Sequence, residues 1–308
     1  MKHARGVALI VALLLVALGT LVVAALLEQN QLAVARTRNQ LREQQAYAYA
    51  RGLEAYAIEV LRRDQSNDPE KDTRGDIWAN PMPPIDVPGG RLAGRIRDLN
   101  GCLNLNRLVN ASGAPVEAER GRVERLLRLL KLRPELVEAI IDWIDADNTP
   151  LPSGAEDASY LLLNPPYRAG NRPLRHISEL RLVRGFDDAT FRLIEAQVCA
   201  APAASNLNVN TASELVLQSL VDGMSEASAR RLYNSGRANF GNADDFRIAL
   251  EQEGLLAPAD INTLGFTSHY FLAETMIELD DIPLNYFSVI QRQTGSSLRV
   301  IARSRGSF

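Results

Sequence analysis

A charge-free apolar segment follows a few basic residues at the start of the chain. Lys2 and Arg5 precede it, and positions 7–27 carry no charged side chain. A helix over these positions is about 30 Å long, which matches the hydrocarbon core of a bilayer. Positive residues before such a segment favour a cytoplasmic amino terminus. The pattern therefore predicts one membrane-spanning helix, with the rest of the chain on the outer side.

Helical periodicity continues beyond the apolar segment. No proline occurs before Pro69, and apolar residues recur at helical spacing among arginines and glutamates over positions 28–63. A cleaved signal peptide would end in small residues followed by a polar break. Ala24-Ala25 is the candidate for such a site, but the helical pattern continues past it. We therefore expect one continuous helix whose residues 7–27 lie in lipid and whose second half packs on a folded domain.

The rest of the chain shows strand patterns at both ends of a long helical region. Residues 64–90 are rich in Asp, Asn and Pro and are predicted to form a loop. Alternating apolar residues predict strands over 92–97 and 103–106. Three further antiparallel strands are predicted over 270–279, 286–292 and 298–303, with a turn over 280–285. Helical spacing covers 116–132, 134–144, 177–182, 188–197, 212–220, 227–234 and 244–251. This order predicts an α+β fold in which an all-α domain is inserted into an antiparallel sheet.

Composition and motifs narrow the functional classes. The chain is 46% hydrophobic and 23% charged, as in globular proteins, and its formal net charge is -3. An acidic exported domain is a poor nucleic-acid binder by default. No Walker loop, GxSxG, HExxH or GxGxxG motif occurs. We therefore predict that the chain is not an enzyme and has neither a nucleic-acid partner nor a small-molecule substrate.

The start of the apolar segment resembles a known processing signal. Arg5-Gly6 followed by Val7 and further apolar residues is similar to the class III leader of type IV pilins and type II secretion pseudopilins. The resemblance implies that a prepilin peptidase cuts after Gly6, removes residues 1–6 as a leader and methylates the new amino terminus at Val7. It also implies a pilin-like fold, in which the long helix packs on the sheet.

One departure from that leader points to a particular branch of the family. Most members carry a glutamate at the fifth mature position, where this chain has Val11. Its absence, like the large inserted domain, resembles the minor pseudopilin K of type II secretion systems. The resemblance implies a pseudopilus-tip subunit that initiates and caps the filament during export of folded proteins across the outer membrane. It further implies I- and J-type minor pseudopilin partners, bound through the N-terminal helix and the globular domain.

The same resemblance sets the expected location and domain organisation. It implies a single-pass protein of the bacterial inner membrane, with its globular part in the periplasm. The pilin-like domain is then expected to comprise the helix half at 28–63, residues 64–104 and the C-terminal strands at 267–308. The inserted helical domain is expected over 105–266.

The insertion contains a weak internal repeat. Residues 103–106 and 207–210 share an alternating Leu/Val and Asn pattern, and Asn210-Thr211-Ala212 resembles the start of a SAM-like or helix-hairpin-helix-like repeat. Such repeats grip DNA phosphates through glycine-rich hairpins, but the hairpin at 222–226 has one glycine and two acids. A membrane-anchored DNA-uptake protein and a signal-anchored periplasmic enzyme remain the alternative functions.

An acidic loop in the insertion is the most specific candidate metal site. Four residues fall at the first, third, fifth and twelfth loop positions, the offsets at which an EF-hand offers oxygens to calcium: Asp145, Asp147, Thr149 and Glu156. Pro150 replaces the glycine of that motif, which predicts a calcium loop of another shape. Asp142 and Asp157 complete the candidate set. The K resemblance also implies calcium in the helical domain, and the alternative is a metal-free acidic loop in which Asp142 is a solvated or capping residue.

Two cysteines complete the candidate residues. Cys102 ends the early strand region, and Cys199 ends one of the predicted helices of the insertion. An oxidising periplasm favours a disulfide between them, and the alternative is two separate buried thiols. Chain-entropy arguments give a loop of this length an upper limit of roughly 4 to 5 kcal/mol of stabilisation.

Overall fold

A single long helix dominates the molecule. The computed structural model of the protein describes residues 4–293 and 297–306. Helix α1 (Ala4–Asn67) contains 64 residues and no proline. From Leu9 onward it includes a segment that is long and apolar enough to cross a membrane, and none of that segment is buried in the protein. The prediction of one continuous helix is confirmed, while residues 1–3 of the predicted leader lie outside the described residues.

An antiparallel sheet packs on the second half of α1. It contains five strands in the order β1-β2-β5-β6-β7. Their bounds are β1 (Met82–Val87), β2 (Gly90–Asp98), β5 (Tyr270–Leu279), β6 (Ile282–Arg292) and β7 (Leu298–Arg305). Strand β5 is central, and its inner side chains alternate along the strand and face α1. The bounds predicted from the sequence, 270–279, match this strand.

Two predictions in this region are wrong. Residues 82–87 lie in the predicted loop but form strand β1, which is paired with β2 at the edge of the sheet. Its prolines, Pro83 and Pro84, lack an N–H donor, and an edge strand tolerates them because one side makes no ladder. The predicted turn over 280–285 shrinks to Asp280 and Asp281. Both have positive φ, 49° and 62°, as a two-residue hairpin turn requires.

Small side chains at helical spacing bring α1 close to the sheet. Ala46 and Ala50 contact a cluster around Ile277, while Ala57 and Leu61 contact a second cluster farther along the helix. The guanidinium of Arg42 donates to Asp280 at 2.8 Å, beside the turn between β5 and β6. The membrane-spanning end of α1 therefore lies toward that turn, and the opposite end of the sheet is distal to the membrane.

The inserted domain is helical and has its own core. Its helices are α2 (Glu117–Leu129), α3 (Leu136–Ile144), α4 (Asp157–Tyr160), α5 (Asp188–Ile194), α6 (Glu214–Leu220), α7 (Glu226–Tyr233) and α8 (Ala243–Gln252). The short strands β3 (Leu103–Asn104) and β4 (Val198–Cys199) pair in parallel. A disulfide joins Cys102 to Cys199, with the Cα atoms 5.8 Å apart, which confirms the predicted pairing.

The internal repeat corresponds to a repeated side-chain clamp. The Asn106 amide accepts from Leu174 N at 2.7 Å and donates to Leu174 O at 2.9 Å. The Asn210 amide makes the same pair of bonds to Phe240, at 2.7 and 3.0 Å. Each asparagine thus ties a following loop to the start of a helical hairpin, α2–α3 in one half and α6–α7 in the other.

The helical domain lies at the membrane-distal end of the sheet. The chain leaves the sheet at the end of β2 and returns at the start of β5, where Asp98 is paired with Phe271. The last turn of α1 ends at the same place, because Asp64 contacts Arg292 at the end of β6. Both connections therefore enter the helical domain from the side away from the membrane-spanning segment.

Candidate metal centre

Three buried carboxylates converge where α3 ends and α4 begins. Asp142, Asp145 and Glu156 each place one oxygen within 4.8 Å of the others, and we call them the loop cluster. Asp142 lies in the last turn of α3, Asp145 caps that helix at its C-terminus, and Glu156 is the N-cap residue of α4. The other residues of α3 are all buried and, apart from Glu138, apolar. The packing of this helix therefore carries Asp142 into the interior, where it has no solvent exposure.

The loop cluster has fewer hydrogen-bond donors than its oxygens require. Asp142 accepts from Leu151 N at 3.1 Å and from Ala155 N. Within the described residues, one oxygen of Asp145 and both oxygens of Glu156 are buried without a partner. Buried charged oxygens are stable only when paired or when they coordinate a cation. The arrangement therefore supplies ligand atoms that the rest of the described chain leaves free.

Burial and mutual repulsion change the protonation of this cluster. Burial, followed by the charges of neighbouring acids, raises the pKa of Glu156 to about 7. The same causes raise the pKa of Asp145 to about 6. Burial also raises the pKa of Asp142 to about 6, against the stabilising donors on its backbone side. Without a cation, the folded protein keeps protons on these groups that an unfolded chain would release.

The shape and chemistry of the loop fit a hard cation. A Cβ atom at Gly154 would lie 1.9 Å from an Asp142 oxygen, so glycine lets the loop backbone approach that carboxylate. The donor set contains carboxylate oxygens and neither imidazole nor thiolate, which suits calcium better than zinc. Asp142, Asp145 and Glu156 are the residues that could hold such an ion.

Asp147 and Asp157 are not among the three carboxylates that lie within 4.8 Å of one another, although the charge of Asp147 raises the pKa of all three. The Asp147 carboxylate accepts from Thr149 N at 2.7 Å, an arrangement local to the exposed loop. Asp157 accepts from Arg168 at 2.9 Å and from Ala169 N at 3.0 Å. The EF-hand offsets therefore identified two members of the loop cluster, Asp145 and Glu156. They did not identify Asp142, which belongs to the preceding helix rather than to the loop.

A second acidic group, which sequence reasoning missed, lies at the boundary between the sheet and the helical domain. Asp64, Asp72 and Asp76 also bring one oxygen each within 4.8 Å, and we call them the junction cluster. Arg292 donates through Nη1 to both Asp72 oxygens, at 2.7 and 2.9 Å, and through Nη2 to Asp64 at 3.4 Å. Asp76 accepts from Thr73 N at 2.6 Å. A guanidinium already supplies the positive charge here, so the group forms an ion-pair network.

Comparison with known proteins places the whole chain in one family. Two family models, both described as type II secretion system (T2SS), protein K, match residues 101–203 and 207–266. The type II secretion system protein K of Pseudomonas aeruginosa is 38% identical over 98% of this chain and 93% of its own length. The chain belongs to the type II secretion system protein K family. The protein K of Pectobacterium carotovorum subsp. carotovorum is 32% identical over 99% of this chain and 97% of its own length.

A solved structure shows the same architecture in a relative of the protein K family. A chain in the crystal structure of the GspK-GspI-GspJ complex from enterotoxigenic Escherichia coli superposes with a TM-score of 0.77. It is 26% identical, and the match covers 89% of this chain and all of that one. The expected α+β fold and the resemblance to K pseudopilins are confirmed.

The processing residues of this K-family chain all belong to the first helix. The backbone of Gly6 and Val7 lies within α1. Val11 lies in the same helix, with about half of its surface exposed. Cleavage between Gly6 and Val7, and the significance of Val11, remain predictions from the leader motif.

Proposed function

We propose that this member of the protein K family is a minor pseudopilin that initiates and caps the pseudopilus at its tip. The observation that carries the proposal is the position of the helical domain on the membrane-distal end of the sheet. In a filament of parallel N-terminal helices, a further subunit would have to be added beyond that end. A bulky domain there occupies the space that the next subunit would need.

The lack of a charge in the membrane-spanning helix agrees with a tip position. A glutamate at the fifth mature position would need a positive partner inside the bilayer, because an unpaired charge there costs several kcal/mol. Val11 makes no such demand. A subunit with no neighbour ahead of it can therefore lie in lipid without an unpaired carboxylate.

The proposed partners are I- and J-type minor pseudopilins. The solved relative is a member of a GspK-GspI-GspJ complex. In this chain, the part of α1 between the bilayer and the sheet leaves large apolar side chains more than half exposed, including Leu32, Val34 and Leu41. Neighbouring helices of smaller pseudopilins would cover these side chains, and their globular domains would contact the sheet. The chain then acts by binding and assembly, without catalysis.

Processing and location follow the family pattern. In this proposal a prepilin peptidase removes residues 1–6 and methylates Val7. The mature chain spans the bacterial inner membrane once, and its folded part lies in the periplasm. The disulfide between Cys102 and Cys199 agrees with an oxidising compartment.

Calcium is proposed as the cofactor of the loop cluster. The ion would bind the carboxylate oxygens of Asp142, Asp145 and Glu156 and neutralise their charge. The residues themselves fix the end of α3 against the start of α4, since they belong to those two elements. The proposed role is structural, to keep the exported helical domain folded.

Deletion of the helical domain tests the tip proposal. Asp98 and Phe271 are paired neighbours, so a turn of about four residues can reconnect β2 and β5. The deleted chain should insert in the membrane and accumulate, while secretion of folded substrates and the number of pseudopili fall strongly. The matched variant Val11→Glu should secrete normally or slightly less. Normal secretion by a stable deletion variant would overturn the proposal.

Intact-mass analysis tests the processing step separately. Full-length chain co-expressed with a prepilin peptidase should begin at a methylated Val7, and chain expressed without the peptidase should keep its leader. A terminus near Ala25 in both preparations would show signal-peptide cleavage and contradict the pseudopilin assignment of the leader.

A further inference from the structure

The boundary between the two folded units is polar rather than hydrophobic. Among the described residues, the buried apolar side chains form one cluster inside the helical domain and two clusters between α1 and the sheet. None of these clusters joins the two units. Their relative position must therefore be fixed by hydrogen bonds and ion pairs at the boundary, which are directional and sensitive to charge.

Asp72 is the centre of those polar contacts. Its main-chain N–H donates to Phe266 O at 2.8 Å, and its carbonyl accepts from Asn208 Nδ2 at 3.0 Å. Its carboxylate accepts from Ser268 N at 2.6 Å and from Arg292. Asp72 thus holds the second half of the helical domain and the returning connection to β5. Arg292 carries that attachment onward to Asp64 on α1.

The boundary contains more acidic groups than positive charge. Asp64 comes from α1, Asp72 and Asp76 from the following loop, and Asp98 from the end of β2, where its carboxylate accepts from Thr211. Arg292, from β6, is the buried cation among them.

The other charged groups of the neighbouring elements are engaged or lie at the surface. Arg74 donates to Thr211 O at 2.9 Å, and Lys71 pairs with Asp68 at 3.7 Å. His269, in the connection that leads into β5, has an exposed side chain. These contacts leave the carboxylates facing one guanidinium in a buried space.

We infer that Asp64, Asp72 and Arg292 form a protonation-controlled joint between the membrane helix and the helical domain. With a proton on Asp64, its carboxyl can hydrogen-bond to Asp72 while Arg292 binds the Asp72 carboxylate, and the helical domain is held in one orientation. When Asp64 ionises, its repulsion of Asp72 and Asp76 weakens this arrangement, and the domain moves relative to α1. The joint belongs to the chain itself and does not depend on a position at the filament tip.

Two aspartates at the boundary have pKa values close to neutral pH, where a small change in pH alters their charge. Burial, then the charges of Asp76 and Asp72, raises the pKa of Asp64 to about 7, and Arg292 offsets only part of this. Burial raises the pKa of Asp98 to about 6, although Thr211 and the Asn100 N–H stabilise its charged form. The joint is therefore held most firmly at acidic pH and loosens as pH rises through neutrality.

A distance measurement on the full-length chain in lipid nanodiscs tests this joint. Labels at Gln40→Cys on α1 and Gln252→Cys on α8 report on the two units, and both native side chains are exposed. Excess calcium in every sample keeps the loop cluster in one state. The distance distribution should be narrow at about pH 5.5 and about twofold broader or clearly shifted at about pH 8.5. The change should follow a single titration with a midpoint near neutrality.

Matched variants identify the titrating group. Asp64→Asn keeps the side-chain shape and removes the charge, so its distribution should remain narrow at both pH values. Asp68→Asn changes a partly exposed acid one helical turn away, and it should respond to pH as the unsubstituted chain does. Either a distribution that ignores pH or an Asp64→Asn chain that responds like the unsubstituted one would overturn the inference. If Asp64→Asn does not fold, the midpoint in the unsubstituted chain decides, because a midpoint below about 5 excludes a raised Asp64 pKa.

Discussion

The loop cluster and the junction cluster solve the same electrostatic problem in different ways. Each brings three carboxylates within 4.8 Å in a buried or partly buried site. Arg292 lies against the junction cluster, and its guanidinium donates to Asp72 and Asp64. The loop cluster contains no such cation within the described residues and leaves oxygens of Asp145 and Glu156 without donors.

This difference separates two kinds of acidic site that look alike by carboxylate geometry alone. The junction cluster carries its counter-charge in the sequence, so its stability depends on side chains and protons. The described residues supply no such charge to the loop cluster, so protons or the proposed calcium ion would have to neutralise it. The two sites should therefore respond independently to calcium, to substitution and to pH.

The largest expected effect is the response of the loop cluster to calcium. A ligand at a thousandfold excess over its dissociation constant stabilises the folded state by about 4 kcal/mol. The thermal unfolding midpoint of the disulfide-intact chain should rise by several degrees when calcium replaces a chelator. Equal midpoints in the two conditions would contradict a calcium site.

Two substitutions assign that response to the cluster. Asp145→Asn should abolish the shift with calcium and, because it removes repulsion, should raise the midpoint measured in chelator. Asp157→Asn changes a neighbouring acid that pairs with Arg168, so the calcium shift should persist. Loss of the shift in Asp157→Asn and not in Asp145→Asn would reassign the ligands.

The second effect concerns the internal cation. Arg292→Gln leaves Asp72 buried without its charged partner, and breaking a buried pair in this way costs about 3 kcal/mol. The loss of unfolding free energy should be the same in calcium and in chelator, because the two clusters share no residue. A loss that appears only in chelator would show that the sites are coupled.

Local patterns in the sequence predicted the parts of this molecule that depend on neighbouring residues. An apolar strand pattern predicted β5, and helical spacing predicted α1 and the helices of the insertion. Strand β1 was missed because Pro83 and Pro84 oppose strand formation locally, and only pairing with β2 overrides them. The turn between β5 and β6 was predicted too long, because hydropathy does not reveal the positive φ angles of Asp280 and Asp281.

For functional sites too, the sequence predicted only what depends on residues close together in the chain. Asp145 and Glu156 could be found because a loop motif fixes their separation. Asp142 lies outside that loop motif, and its burial depends on how α3 packs in the core. The three aspartates of the junction cluster lie close together in the sequence but match no ligand motif, and their partner Arg292, 220 residues from Asp72, is brought to them only by the fold.

A third effect is the dependence of stability on pH, which has the same sign for both clusters. Asp64, Asp142, Asp145 and Glu156 all have raised pKa values in the folded protein. The folded state then binds more protons than the unfolded state between about pH 4 and 7, so unfolding free energy should fall by about 2 kcal/mol or more as pH rises through that window.

Calcium should change that profile in a defined way. With the ion bound, the loop-cluster carboxylates are ionised, and only the share from Asp64 and Asp98 should remain. Denaturant midpoints measured across the pH window in calcium give the contribution of Asp64 and Asp98 to the pH dependence. The additional pH dependence in chelator gives the contribution of the loop cluster. Identical slopes of unfolding free energy against pH in calcium and in chelator would contradict the assignment of the metal to the loop cluster. Asp64→Asn should reduce only the part of the slope that remains in calcium.

The smallest expected effect probes the geometry of the loop cluster without removing a carboxylate. In Gly154→Ala, the added methyl group would lie 1.9 Å from an Asp142 oxygen, so the loop or the carboxylate must move. Displacement of one ligand should weaken calcium binding about tenfold, which is about 1.4 kcal/mol, and calorimetric titration can measure it. Gly121→Ala, in α2, adds the same methyl group at ordinary contact distance from Arg125 and should leave calcium affinity unchanged. Because neither glycine has a positive φ, a weaker affinity in Gly154→Ala alone would report the contact with Asp142 rather than backbone strain.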